Sequence, residues 1–305
     1  MTIGTNIAAA QYVTIQNKAQ SLIGTGSGTR GYGQTVQSSD VFTGNAITKA
    51  QWDLIKLDII NIKFHQDGVL PGVVTVNVGD PINFGASSPN SNYDTILEQA
   101  VANRFQIAGS QSVVNSAASQ TYTTPWSASL TTTLTCTFST ADEARYFFNS
   151  GGKIRFTTSL SGGSPTAQIN AWTNFLASVG TRSFGADTGA VNYYTLTNSF
   201  QIYDQISVSA AYQYSGNNYR LEARTNVSNN STGTATQLFL RVTLTDGYTD
   251  PATAPHSPGT IPPEDVVNGT VTITASELKA AGLLQPSGTF TVASPSYSFS
   301  VVTAS

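Results

Sequence analysis

The sequence predicts an α+β, mainly β protein: an N-terminal helical region followed by an antiparallel β-rich domain with two short inserted helices. Three observations carry this prediction. Apolar residues recur with a helical period up to about residue 110. From residue 127 onward they alternate with Thr and Ser, the period of a half-buried strand. Charged residues are only 10% of 305, so hydroxyls and amides carry the solvation. The implied organisation is a helical attachment or oligomerisation region over 1–110, a linker over 111–126 and a β-rich domain over 127–305.

The first helix is expected from Ala8, where Ala8, Tyr12, Ile15, Ala19 and Leu22 share one face and Gly24 stops the chain. Thr48 and Gln51 have the spacing of a capping box and open a second helix, which ends before Gly68 and Pro71. That helix is apolar on more than one side, so neighbours in the chain or another subunit must cover it. Its seam of Trp52, Ile55, Ile59 and Ile62 is the candidate assembly interface. A third helix runs from Ser91 to Phe105, with Asp94 in its first turn. The loop from Gly24 to Gly33 is dense in glycine but lacks the G-x-x-x-x-G-K-[ST] spacing of a phosphate loop, so it is expected to be a flexible or tightly turning connector. A Ser/Ala/Gln/Thr stretch ending at Pro125 and Trp126 supplies the linker.

Strands follow. Leu130, Leu134, Cys136 and Phe138 mark the first, and Ile154, Phe156 and Leu160 the second. Ile206 to Tyr214, Tyr219 to Val227 and Leu238 to Leu244 read as an antiparallel meander joined by Asn- and Gly-containing turns. One inserted helix is capped by Thr140 and halted by Gly151 and Gly152; the other starts at Ser164 and Pro165 and stops at Gly180. A proline-rich run from Pro251 to Pro263 has no period, and strands return at Val271, Phe290 and Tyr297.

Composition excludes several functions. Fourteen basic residues against 17 acidic ones leave a net charge of −3, without the basic surplus that nucleic-acid binding draws on. No stretch approaches the roughly 18 apolar residues of a membrane span, and the first residues show no export leader. One cysteine forms no internal disulfide, and His65 and His256 lie far apart in the chain. No metal and no cofactor is expected.

Chemistry-bearing residues have plainer readings. Asp142 and Glu143 are adjacent on a helix, so they cannot face each other across a glycosidic bond, and as first-turn acids they complement the helix dipole. Asp246, Asp250, Glu264 and Asp265 lack the alternating spacing of a calcium loop. Cys136 shares the apolar parity of its strand and reads as a small core residue. His65 reads as a cation at a helix C-terminus. Asn226, Asn230 and Asn268 match the glycosylation acceptor pattern but read as turn residues. Tyr193, Tyr194, Tyr203 and Tyr219 could stack on sugar rings, or serve as strand residues with a polar tip.

Five segments carry a resemblance. They are Tyr12–Asn17, Gly26–Thr35, Ile47–Leu54, His65–Gly68 and Asp142–Phe156, the last containing Ala-Arg-Tyr-Phe-Phe-Asn-Ser-Gly-Gly. Together they resemble virion structural proteins of tailed bacteriophages, in particular those of cyanophage-type contractile-tailed viruses. The resemblance covers about half the chain and fades after about residue 160. It implies a particle component without catalytic residues, made in the host cytoplasm and located in the virion. The expected function is therefore a non-enzymatic structural part of a tailed-phage virion, associated with tail, baseplate or fibre and assembling in several copies. Its partners would be copies of itself and other virion proteins, with no nucleic acid and no membrane insertion. The alternatives are a receptor- or glycan-binding module that meets a host-surface glycan through Tyr193, Tyr194, Tyr203 and Tyr219, and a head or neck decoration protein.

Overall fold

In the computed structural model, which describes residues 9–42, 46–77, 89–163, 166–208, 214, 216–247 and 266–305, the helical period produces three helices that cover one another. They are α1 (Ala9–Ile23), α2 (Lys49–Asp67) and α3 (Pro89–Ala102). The capping box at the start of α2 is formed: Thr48 Oγ1 accepts from the Gln51 amide at 3.3 Å, and Gln51 Oε1 accepts from the Thr48 amide at 2.8 Å. Gly68 ends the helix in the left-handed region with φ 74°. Lys18 of α1 pairs with Asp94 of α3 at 2.7 Å and also with Glu98. Ala8, the predicted start of α1, lies outside the described residues.

The predicted linker is a strand. After one helical turn at Gly109–Gln111, β1 (Ser112–Tyr122) pairs antiparallel with β8 (Thr270–Leu283) from Ser112 opposite Ala280 to Tyr122 opposite Val271, with one register shift between Ser116 and Ala118. None of its residues is fully buried, because it is an edge strand, so no apolar alternation marked it. Trp126 then bridges to Val267 through two backbone hydrogen bonds of 3.1 and 2.8 Å. Residues 111–126 thus belong to the β-structure.

In chain order the remaining elements are β2 (Ser129–Thr137), α4 (Ala141–Asn149), β3 (Lys153–Ser161), α5 (Ala167–Val179), β4 (Arg182–Gly185), β5 (Gln201–Ser207), β6 (Asn218–Thr225) and β7 (Gln237–Thr245). After β8 come β9 (Thr289–Thr291), β10 (Ser296–Phe299) and β11 (Thr303–Ala304). Thr166 caps α5, accepting from the Ile169 amide at 3.3 Å; Ser164 and Pro165 lie outside the described residues. β5 begins five residues before the predicted Ile206, and most of the predicted Ile206–Tyr214 strand beyond Val208 is outside the description.

Two antiparallel sheets result. One has the order β1-β8-β3-β4, with β9 extending from β8; the other runs β10-β2-β7-β6-β5, with β11 also on β2. The predicted meander is β5-β6-β7. Registers align the apolar rows: Leu134 faces Leu240, which faces Ala223 on its other side. On the β1-β8-β3-β4 sheet Phe156 faces Ala275 and Thr158 faces Ile273. The two inner faces meet, since Thr158 Oγ1 of β3 lies 3.2 Å from Tyr219 OH of β6, and Tyr297 of β10 donates to Glu277 of β8 at 2.6 Å. Between them Leu130, Leu134, Leu221, Leu238, Leu240, Ile154, Phe156 and Ile273 are buried. At about 1.5–3 kcal/mol for each large apolar side chain, this sandwich interior is a main source of stability.

The helical layer and the sandwich share one continuous core, so the described residues of 1–110 are not a separate body. Asn61 of α2 donates to the Gln285 carbonyl at 3.3 Å and accepts from its amide at 2.6 Å. Gln34 makes the same kind of exchange with Thr291 at 2.9 and 3.3 Å.

Candidate functional site

The proposed assembly seam is inside the monomer. Trp52, Ile55, Ile59 and Ile62 are each at most 1% exposed. The Trp52 ring meets Tyr12 of α1 edge-on at 5.3 Å and Tyr93 of α3 at 5.6 Å. Of the two ways to cover an all-round apolar helix, the chain uses its own neighbours, and the four residues are no contact for a second copy.

Three of the four predicted glycan-contact tyrosines are buried as well. Tyr193 donates to the Ala235 carbonyl at 3.2 Å and stacks on Phe148 at 4.2 Å. Tyr194 donates to the Gly28 carbonyl at 2.8 Å. Tyr219 sits between the sheets, where burial pushes its phenol up to about 12. They are tied to the chain by their polar tips and offer no ring to a sugar. Tyr203 differs: it is half-buried on β5 and lines a cavity.

Two of the segments that carry the resemblance, Gly26–Thr35 and Asp142–Phe156, meet in one junction. Asn149, fully buried at the end of α4, directs its amide Nδ2 at three carbonyls of the glycine loop: Arg30 at 2.9 Å, Gly28 at 3.2 Å and Gly31 at 3.2 Å. One turn earlier, Arg145 donates to the Thr25 carbonyl at 3.1 Å and pairs with Asp142 at 2.9 Å. A Cβ on Gly33, where φ is 69°, would lie 2.3 Å from the Tyr146 ring, so only glycine fits. The loop turns these carbonyls, not amides, towards α4. That polarity suits donors and opposes a phosphate, which needs N–H groups.

His65 anchors the same junction. Its Nε2 lies 3.0 Å from the Ser150 carbonyl, which assigns the proton to that nitrogen, and its ring stacks on Phe290 at 4.0 Å and 8°. Complete burial lowers its pKa to about 4, partly offset by the Ser150 bond. It is a neutral interior ring and not the predicted cation at a helix end, because β9 and α4 cover it.

Asp142 and Glu143 behave as first-turn acids: Glu143 accepts from the Ser139 amide at 3.1 Å and Thr140 caps the helix. Cys136 is a buried core thiol whose pKa burial pushes up. Asn230 is a turn residue, donating to the Tyr193 carbonyl at 2.8 Å and accepting from the Ala235 amide at 2.9 Å. Asp250, His256, Glu264 and Asp265 lie outside the described residues. Among the described residues no three His, Cys, Asp or Glu side chains are grouped to hold a metal ion. Among them, too, no helix is long and apolar enough to cross a membrane.

Three buried polar residues were missed. Asp58 accepts from the Gln37 and Ser38 amides at 2.8 and 2.9 Å and so pins the segment after the glycine loop to α2. Glu277 accepts from Asn115 at 3.1 Å, Ser294 at 2.7 Å and Tyr297 at 2.6 Å. Its parity with Val271, Ile273 and Ala275 was the available signal for an inward carboxylate. For Asn149 the signal was its place inside the long resembling string.

Comparison of the chain with protein-family models, with curated protein sequences and with solved structures returns no match.

Proposed function

We propose that the chain is a non-enzymatic structural component of a tailed-phage virion, present in several copies and associated with tail, baseplate or fibre. The observation that carries this reading is the junction of Gly26–Thr35 with Asp142–Phe156. The segment with the most specific resemblance to virion proteins, Asp142–Phe156, contacts a second resembling segment, and their polar groups hold the fold together. Polar groups engaged in architecture and not in chemistry suit a particle component.

Contacts between copies would use the strand edges, since α2 is covered. β1 presents an 11-residue edge whose outer side pairs with no strand among the described residues, and β5 is the far edge of the other sheet. Backbone pairing along such edges needs few charges, which matches a chain with 10% charged residues. Val69 and Leu70, 64% and 61% exposed just beyond α2, add apolar area.

Light scattering across a size-exclusion peak of the full chain, over a range of concentrations, tests the reading. A discrete species of several copies supports it. A monomer at every concentration counts against self-assembly.

A further inference from the structure

We infer that two copies of the chain join through β1, edge against edge about a two-fold axis, so that the β1-β8-β3-β4 sheet of one copy continues into that of the other. Such a pair presupposes the multi-copy reading proposed above and uses one of its two edges. β1 and β10 border the same side of the sandwich, since Asn115 of β1 and Tyr297 of β10 both bond to Glu277, at 3.1 and 2.6 Å. β4 and β5 border the opposite side, where Arg182 faces Asp204 at 3.6 Å.

The two sides differ in charge. Exposed strand edges are ordinarily guarded against pairing with another chain by charged residues or proline. The β4–β5 side is guarded: Arg182 and Asp204 lie in the edge strands themselves, and Lys153 and Asp187 pair beside them at 2.8 Å. The β1–β10 side is not. No Asp, Glu, Lys or Arg occurs in residues 105–141 or 280–305, which contain β1, β2, β10 and β11. Nor does β1 contain a proline. Both edge strands carry a bulge, at Ala117 in β1 and at Tyr203 in β5, so charge is what separates them.

Neutrality selects a second copy as the occupant. A two-fold contact sets the residues nearest its axis against their own counterparts, so a charged edge would oppose like charges. The exposed Ser116, Ser119 and Thr121 of β1 can instead both donate to and accept from a copy of themselves. Val114, 50% exposed on β1, and Val301, 84% exposed between β10 and β11, add apolar area on this side. The extent also suffices. Eleven residues at about 3.4 Å each make an edge about 37 Å long. Two sheets about 10 Å apart, with their outer side chains, make it about 20 Å deep. The resulting face is on the order of 700 Å² per copy, against roughly 800 Å² per partner in a standard interface.

The test combines light scattering with hydrogen exchange on the full chain. An even-numbered species is expected, with exchange in Ser112–Tyr122 slowing as concentration rises. The double variant Ser116→Lys, Ser119→Lys should raise the dissociation constant of the pair about tenfold or more, and so should Ser116→Glu, Ser119→Glu. Mixing the two variants should restore the pair, because opposite charges then meet. Gln205→Lys with Ser207→Lys, at exposed positions of β5, should leave it unchanged. A multi-copy species that survives the β1 charges, is broken by the β5 charges or is not restored by mixing overturns the β1 pair and leaves the multi-copy reading standing. So does exchange in Ser112–Tyr122 that stays constant while the species forms, a result that needs no variant. A monomer at every concentration overturns both.

Discussion

Replacing Asn149 with alanine should loosen the hold of the sandwich on the glycine loop, and the size of the effect can be worked out. The amide hydrogens of Asn149 are shared among three carbonyls, and its oxygen accepts from Tyr194. Its two N–H donors and one accepting oxygen make three bonds, which at about 1 kcal/mol net each give about 3 kcal/mol. The Gly31 carbonyl is buried and would lose its partner, which raises the total to about 4–5 kcal/mol. At about 2 °C per kcal/mol for a chain of this size, the melting temperature should fall by roughly 8–10 °C. Urea denaturation would give the free energy. Trypsin cleavage after exposed Arg30 would report the loop itself, because its carbonyl is one of the three acceptors. Asn149→Asp keeps the shape but sets a carboxylate against three carbonyls, so it should cost at least as much. The reasoning fails if Asn149→Ala costs under about 1 kcal/mol, or if cleavage after Arg30 is no faster in either variant.

Other perturbations probe different layers. Burial lowers the folded His65 pKa to about 4 from an open-chain value near 6.5. The unfolded chain therefore takes the proton first, and stability should fall as pH drops from 6.5 to 4, by about 3 kcal/mol in total. His65→Gln should flatten that stretch of the profile in urea melts at stepped pH. Ile59→Ala should destabilise the monomer by about 2–5 kcal/mol without changing its molar mass in solution; loss of a multi-copy species with stability intact would return the seam to an interface role. Tyr297→Phe removes a 2.6 Å bond to Glu277 and should speed hydrogen exchange in β10, with a stability cost of about 1–3 kcal/mol.

What could be foreseen from the residues was set by local chemistry. The capping box at Thr48 and Gln51, the stop at Gly68 and the meander were visible because each is written within a few positions. The burial of α2 was foreseen, but the choice between a neighbouring helix and another subunit depends on tertiary placement. β1 was missed because an edge strand with no buried residue has no period to detect. The bulge at Tyr203 breaks the alternation that parity arguments rely on. Tyr193, Tyr194 and Tyr219 look alike in sequence whether their tips meet water or, as here, the Ala235 and Gly28 carbonyls and the Thr158 hydroxyl.

The position of β8 bears on how the chain reaches this state during synthesis. β1 and β3 pair with β8 and not with each other, so both wait for a strand that begins at Thr270, about 150 residues after β1 ends. The helical layer waits longer still, since Asn61, His65 and Gln34 find their partners at Gln285, Phe290 and Thr291. Such distant pairings slow folding, because loop closure must precede the contacts that reward it. Until β8 and the residues after it leave the ribosome, the β8-side edges of β1 and β3 and one side of α2 lack their partners. A nascent chain arrested before Thr270 should therefore be held by chaperones or aggregate, whereas one extended past Thr291 can close the β1-β8-β3-β4 sheet and the helical layer almost together.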